Sequence, residues 1–145
     1  MCINENKIAL QQLLGKSLIK NAPPNKTIIV SGAFEDPLDV RSSSPEVDVK
    51  HLQSDHEEAD TRMILSIVNS PAKYIIVVSQ DTDVFVILLA NYKHFEGRKV
   101  YLLQYSGRER KVTDIGAVVD GIKSNGLDPE SIPLLHSLTG CDTTS

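Results

Sequence analysis

Between Lys73 and Gln80 the chain reads KYIIVVSQ, an apolar run of strand length closed by polar residues. A short continuous apolar run is the pattern of a strand buried on both faces, as in parallel sheets. KVYLLQYSG (99–107) predicts a second strand, and DVFVILLANYKHF (83–95) between them is apolar enough for a buried helix. Upstream, HEEADTRMILSIVNS places Met63, Ile64, Ile67 and Val68 on one helical face and predicts a helix over 57–70, stopped by Pro71. Downstream, Thr113 as an N-cap and Gly126 as a stop bound a helix over 113–126. A short helix is expected over 128–140, beginning near Pro129. Alternation of this kind predicts an α/β domain: a mostly parallel sheet with helices on both faces. Strand 73–80 is expected at its centre, with 99–107 parallel beside it through a right-handed crossover.

The first third reads differently. Ile8, Leu10, Leu13, Leu14, Leu18 and Ile19 recur at helical spacing, ahead of Asn21 and Pro23-Pro24. TIIVSGAF (27–34) predicts a strand. Residues 35–55, polar and with two prolines and three consecutive serines, predict a long surface connection with a short strand near Val47–Val49. The expected organisation is an N-terminal extension over 1–53 and a core domain over 54–145.

Composition narrows the class. The chain has 145 residues, 41% of them hydrophobic, enough for one core. Fifteen basic against nineteen acidic residues give a net charge of −4, which argues against holding nucleic acid by bulk positive charge. It leaves room for an acidic site that meets phosphates through metal ions. Cys2 and Cys141 form no disulfide framework and lack metal-ligand spacing, so a reducing, intracellular compartment is expected, the nucleus included. No apolar run has the roughly 18–20 residues that span a bilayer, and a membrane partner is not expected.

The candidate chemistry is carboxylate. Asp81 and Asp83 follow the strand 73–80 directly, where open parallel sheets bind ligands, and two hard oxygen donors there suit Mg²⁺. Helix capping explains Asp81 equally well. Glu57, Glu58 and Asp60 open the helix before that strand, where Ser54 with Glu57 and Asp55 with Glu58 also match capping boxes. Asp142 follows a Gly that could be a helix stop. Six carboxylates in three separated segments together suggest a two-metal phosphodiesterase cluster, with cations about 3.5–4 Å apart activating water and stabilising the leaving oxygen. His51, His56, His94 and His136 show no ligand spacing and read as surface or satisfied histidines. No Gly-rich phosphate loop is present. Lys93, Arg98 and Lys99 lie roughly 30 Å of strand away from Arg108, Arg110 and Lys111, so they are two groups of turn charges, not one patch.

HEEADTRMIL, then VVSQDTDVFVILL, then LHSLTGCDTTS resembles the internal core of flap-endonuclease-type, PIN-like nucleases. That family has Glu-x-Glu at a helix start, Asp-x-Asp after a buried strand and Gly-x-Asp after a later helix. The wording of these blocks is similar to uncharacterised PIN-like proteins present in many copies in animal genomes. The resemblance covers residues 54–145. It implies that Glu58, Asp60, Asp81, Asp83 and Asp142 hold Mg²⁺ or Mn²⁺, with DNA or RNA as the substrate and Glu57 left as a cap.

Two departures qualify what it implies. The family's first strand ends in a further metal-binding aspartate, where TIIVSGAF has Ser31 and Gly32. The family's DNA-gripping helical region would follow Asp142, and the expectation is that this chain lacks it. The expectation is a PIN-like core incomplete at both ends, with catalytic competence left open. Two alternatives remain: a degenerate, non-catalytic interaction module, or a phosphatase of the haloacid-dehalogenase type. Asp81-Thr82-Asp83-Val84-Phe85 fits the phosphatase motif except at its last position.

Overall fold

The computed structural model describes residues 3–54, 59–95 and 97–139. Contacts divide the chain into two compact units, Met1–Asn69 and Ser70–Ser145.

In the first unit, α1 (Ile3–Lys20) ends where the Asn21 amide donates back to the Ser17 carbonyl at 2.9 Å. Its amphipathic pattern is not converted into burial: Ile8, Leu10, Leu13, Leu14 and Leu18 all stay exposed. α1 instead approaches the following segment through Gly15, where an added Cβ would lie 3.1 Å from that of Ala33. The strand expected over 27–34 shrinks to β1 (Ile29–Ser31), because Gly32 turns the chain with φ of +71°. β1 pairs antiparallel with β2 (Val40–Ser42), inside the stretch expected to be a loop. The strand expected near Val47–Val49 is not formed. Asp36 organises the connection: its carboxylate accepts from the Leu38 amide at 2.8 Å and its carbonyl from the Asp39 amide at 2.9 Å. α2 (Ala59–Val68) buries Ile67 and Arg62, and the Arg62 guanidinium donates to the Pro37 carbonyl at 2.9 Å.

In the second unit, β3 (Tyr74–Val78) and β4 (Lys99–Ser106) pair parallel, in register from Tyr74 opposite Lys99 to Val78 opposite Leu103. They are joined by α3 (Thr82–Ala90) and a 3-10 turn over Tyr92–Phe95. The single helix expected over 83–95 divides at Asn91, whose amide caps the Ile87 carbonyl at 2.9 Å. A strand not foreseen, β5 (Glu109–Asp114), pairs antiparallel with β4. Gly107 with φ of +60° and Arg108 form the two-residue turn between them, with glycine at the first central position as a type II′ hairpin requires. The sheet order is β3-β4-β5, so it is mixed and β4, not β3, is its middle strand among the described residues.

α4 (Ile115–Ser124) starts one residue later than expected because β5 runs through Thr113, leaving Asp114 as the cap; its carboxylate accepts from the Ala117 amide at 3.1 Å. α4 packs on β4 and β5, α3 on α4, and α5 (Ile132–Thr139) on α3. The core gathers on that side of the sheet: Val77, Val100, Leu102, Leu88, Phe95, Ile115 and Val119 are buried. The other face of the sheet presents Tyr74, Ile76, Val78 and Val112 as exposed residues, so within this unit helices cover one face where two were expected.

Tyr92 closes one end of this core, edge-on to Phe95 with ring centroids 5.8 Å apart. Burial, then the charges of Asp114 and Asp120, push its phenol above the ordinary value of 10.0. The folded state therefore holds that proton more tightly than the unfolded chain does. Stability is intact below pH 10.0 and falls as pH rises through the higher folded value. Tyr92→Phe should flatten that alkaline loss in denaturant titrations, and identical alkaline slopes would refute it. Gly116 in α4 lies under the Tyr92 ring, where an added Cβ would strike the hydroxyl and come 3.0 Å from Cζ. Gly116→Ala should destabilise by about 1–3 kcal/mol. Gly121→Ala in the same helix meets nothing within 4 Å and should stabilise by up to about 1 kcal/mol. Thermal denaturation of the pair checks both signs.

Candidate metal centre

Where β3 ends, the ladder carries on for one more bond, from the Ser79 amide to the Leu103 carbonyl at 3.3 Å. The Ser79 hydroxyl then accepts from the Asp81 amide at 3.1 Å, which turns the chain out of the sheet. Asp81 is the extended N-cap of α3 (φ −78°, ψ 130°), and its Oδ1 accepts from the Asp83 amide at 2.9 Å. Asp83 follows in the first turn. Both carboxylates thus stand at the positive end of a helix and at the carboxyl edge of a parallel strand pair.

The Asp83 carboxylate is engaged from across the fold: His136 Nε2, in α5, lies 2.8 Å from its Oδ1. The His136 side chain is 25% exposed and that of Asp83 53%. An ionised carboxylate only accepts, so the proton in this bond sits on Nε2. Each aspartate keeps a second oxygen with no hydrogen-bond partner among the described residues.

The other expected ligands are distributed as follows. Asp60 is half-buried in the first turn of α2, in the first unit, whereas Asp81 and Asp83 belong to the second. Glu58 and Asp142 lie outside the described residues, as do Glu57 and Asp55 of the two capping boxes. Among the described residues, no three His, Cys, Asp or Glu side chains are grouped to hold a metal ion. His136 was legible only as a surface or satisfied histidine; no spacing ties it to a partner 53 residues away.

The basic residues have local work. Lys93 pairs with Glu130 at 2.8 Å, both side chains half-exposed. Arg98 donates to the Ser70 and Phe95 carbonyls at 3.0 and 3.1 Å, fastening the entrance of β4. Arg110 lies over the Tyr105 ring, 5.8 Å from its centroid. These contacts anchor the sheet's connections and do not assemble a phosphate clamp.

Two carboxylates, each with an oxygen to spare, are the hard donors that Mg²⁺ takes, since it binds through one or two carboxylates and keeps several waters. Their donor chemistry is of the kind a divalent cation takes, and no third His, Cys, Asp or Glu side chain is grouped with them among the described residues. No family model, curated protein or solved structure matches this chain.

The cap and the carboxylate charge at Asp81 can be separated. Asp81→Ala removes both and should cost about 1 kcal/mol, whereas Asp81→Ser retains a capping oxygen and should cost only a fraction of that. Chemical denaturation measures the difference; equal losses would mean that the cap bond contributes nothing.

Proposed function

We propose that this chain carries carboxylate metal ligands of a nuclease-like, PIN-like domain, with Asp81 and Asp83 as their nucleus. The observation that supports this most is the placement of Asp81 and Asp83 at the carboxyl end of β3, with α5 tied to Asp83 through His136. A bound Mg²⁺ or Mn²⁺ would polarise a phosphodiester and lower the pKa of attacking water. The chain's own contribution is to present the free carboxylate oxygens of Asp81 and Asp83 from a rigid strand end.

Catalytic power is expected to be low. The position that resembles the family's first-strand aspartate holds Ser31 and Gly32, and Lys93, Arg98 and Arg110 are engaged locally. A missing stabilising group is worth about 10²–10³ in rate. The cap bond of Asp81 favours a second reading, a non-catalytic module in which these carboxylates serve only the fold.

The test is Mn²⁺ titration of residues 1–145 beside an Asp81→Ser/Asp83→Ser double variant. Weak, millimolar binding that the double variant loses is the expected outcome; no binding at all would leave the non-catalytic module. Incubation with flap, single-stranded and duplex substrates in Mg²⁺ or Mn²⁺ should give little cleavage. Robust cleavage that disappears in the double variant would show that the missing groups are dispensable. Turnover of a phosphomonoester that depends on Asp81 would instead identify a phosphatase.

A further inference from the structure

Parallel strand pairs are normally covered on both faces, because their strands carry apolar side chains to both. In the second unit helices cover one face of the sheet, and the other bears a continuous apolar surface. Val78, Leu103 and Val112 stand side by side in one cross-strand row, with Ile76 and Tyr101 in the adjoining row on the same face. Ile76, Val78 and Val112 are 65%, 59% and 63% exposed, and Leu103 and Tyr101 are half-buried. A contiguous exposed patch of this kind marks an interaction surface. We propose that this face docks a second copy of the chain, sheet against sheet, related by a two-fold axis along the Val78–Leu103–Val112 row. The interface is independent of the metal reading and involves neither Asp81 nor Asp83.

The strand registers argue for a copy of the chain as the occupant. Alternation along β5 brings Arg110, Val112 and Asp114 to this face. Arg110 and Asp114 lie about 13 Å apart along one strand, too far to pair with each other. Neither makes an ion pair among the described residues. A two-fold axis along the middle row reverses the strand direction. It therefore sets Arg110 of each copy against Asp114 of the other, and Tyr101 against Tyr105, while the apolar rows meet at the centre. Both charged groups are ready for that contact. Asp114 gives one oxygen, Oδ1, to the Ala117 amide, and Arg110 is steadied over the Tyr105 ring. The resulting surface has an apolar centre and a rim of tyrosine and arginine, which is the composition of protein interfaces. The sheet is three strands wide and eight residues long at β4, roughly 14 by 26 Å. An interface of that size sits at the low end of specific ones, so association in the micromolar range is expected.

Sedimentation velocity of residues 1–145 between about 1 and 200 µM should show a reversible monomer–dimer equilibrium. Val112→Lys puts a charge at the centre of the patch, at a side chain already exposed in the monomer, and should keep the protein monomeric throughout. Arg110→Asp sets like charges together twice in each dimer and should weaken association by at least about tenfold. Lys111→Asp makes the same change of net charge one residue along, on the opposite side of β5, and should leave association unchanged. Thermal melting establishes that each variant is folded, and the Arg110 and Lys111 comparison decides should Val112→Lys not fold. A wild-type chain that stays monomeric over the whole range overturns the proposal, as does dimerisation that folded Val112→Lys leaves intact. Equal effects of Arg110→Asp and Lys111→Asp also overturn it, because overall charge rather than the Arg110–Asp114 pairing would then govern association.

Discussion

Two neighbouring strands that run the same way cannot be joined by a turn, and the second unit is organised around that constraint. Because β3 and β4 pair parallel, the chain must leave the carboxyl end of β3, cross the sheet and return to its starting edge. α3 makes the crossing, so its N-terminus necessarily stands where β3 stops. That junction exposes a helix's unpaired amides just beyond a strand end, and Asp81 satisfies one of them. The fold's demand for a cap and the proposed cation site therefore meet at this one junction. This is why an aspartate pair there cannot be read from its sequence alone as either cap or ligand.

Asp81, not Asp83, is the cap, and the Asp83 carboxylate is left to meet His136, brought from α5. The bond spans a long sequence separation and joins two partly exposed groups, so its contribution to stability is modest while its effect on geometry is specific. It ties α5 to the start of α3.

The legible parts of the fold were those in which one periodic pattern meets one core. β3, β4 and α3 carry long apolar runs and were readable, along with their parallel pairing. The split at Asn91 was hidden because apolar residues continue past it to Phe95, which is buried in the core although it lies outside α3. β5 was not readable from hydrophobicity, since its residues, ERKVTD, are almost all exposed. Its signal lay in the turn: Ser106-Gly107-Arg108-Glu109 has the glycine a tight hairpin needs. β2 is three residues long in a stretch rich in Ser, Pro and Asp, too short to show a period. The strand-end position of Asp81 and Asp83 was readable because local order sets it; the contact of His136 with Asp83 was not, because only tertiary packing makes it.

The central claim is that a divalent cation binds at the carboxyl end of β3, against Asp81 and Asp83. Paramagnetic broadening of backbone amide signals by substoichiometric Mn²⁺ tests it directly, because the effect falls steeply with distance from the ion. The account predicts loss of signal centred on residues 79–84 and extending into the last turn of α5, with the far end of α4 unaffected. Broadening spread evenly over exposed acidic residues, or centred elsewhere in the chain, would contradict it.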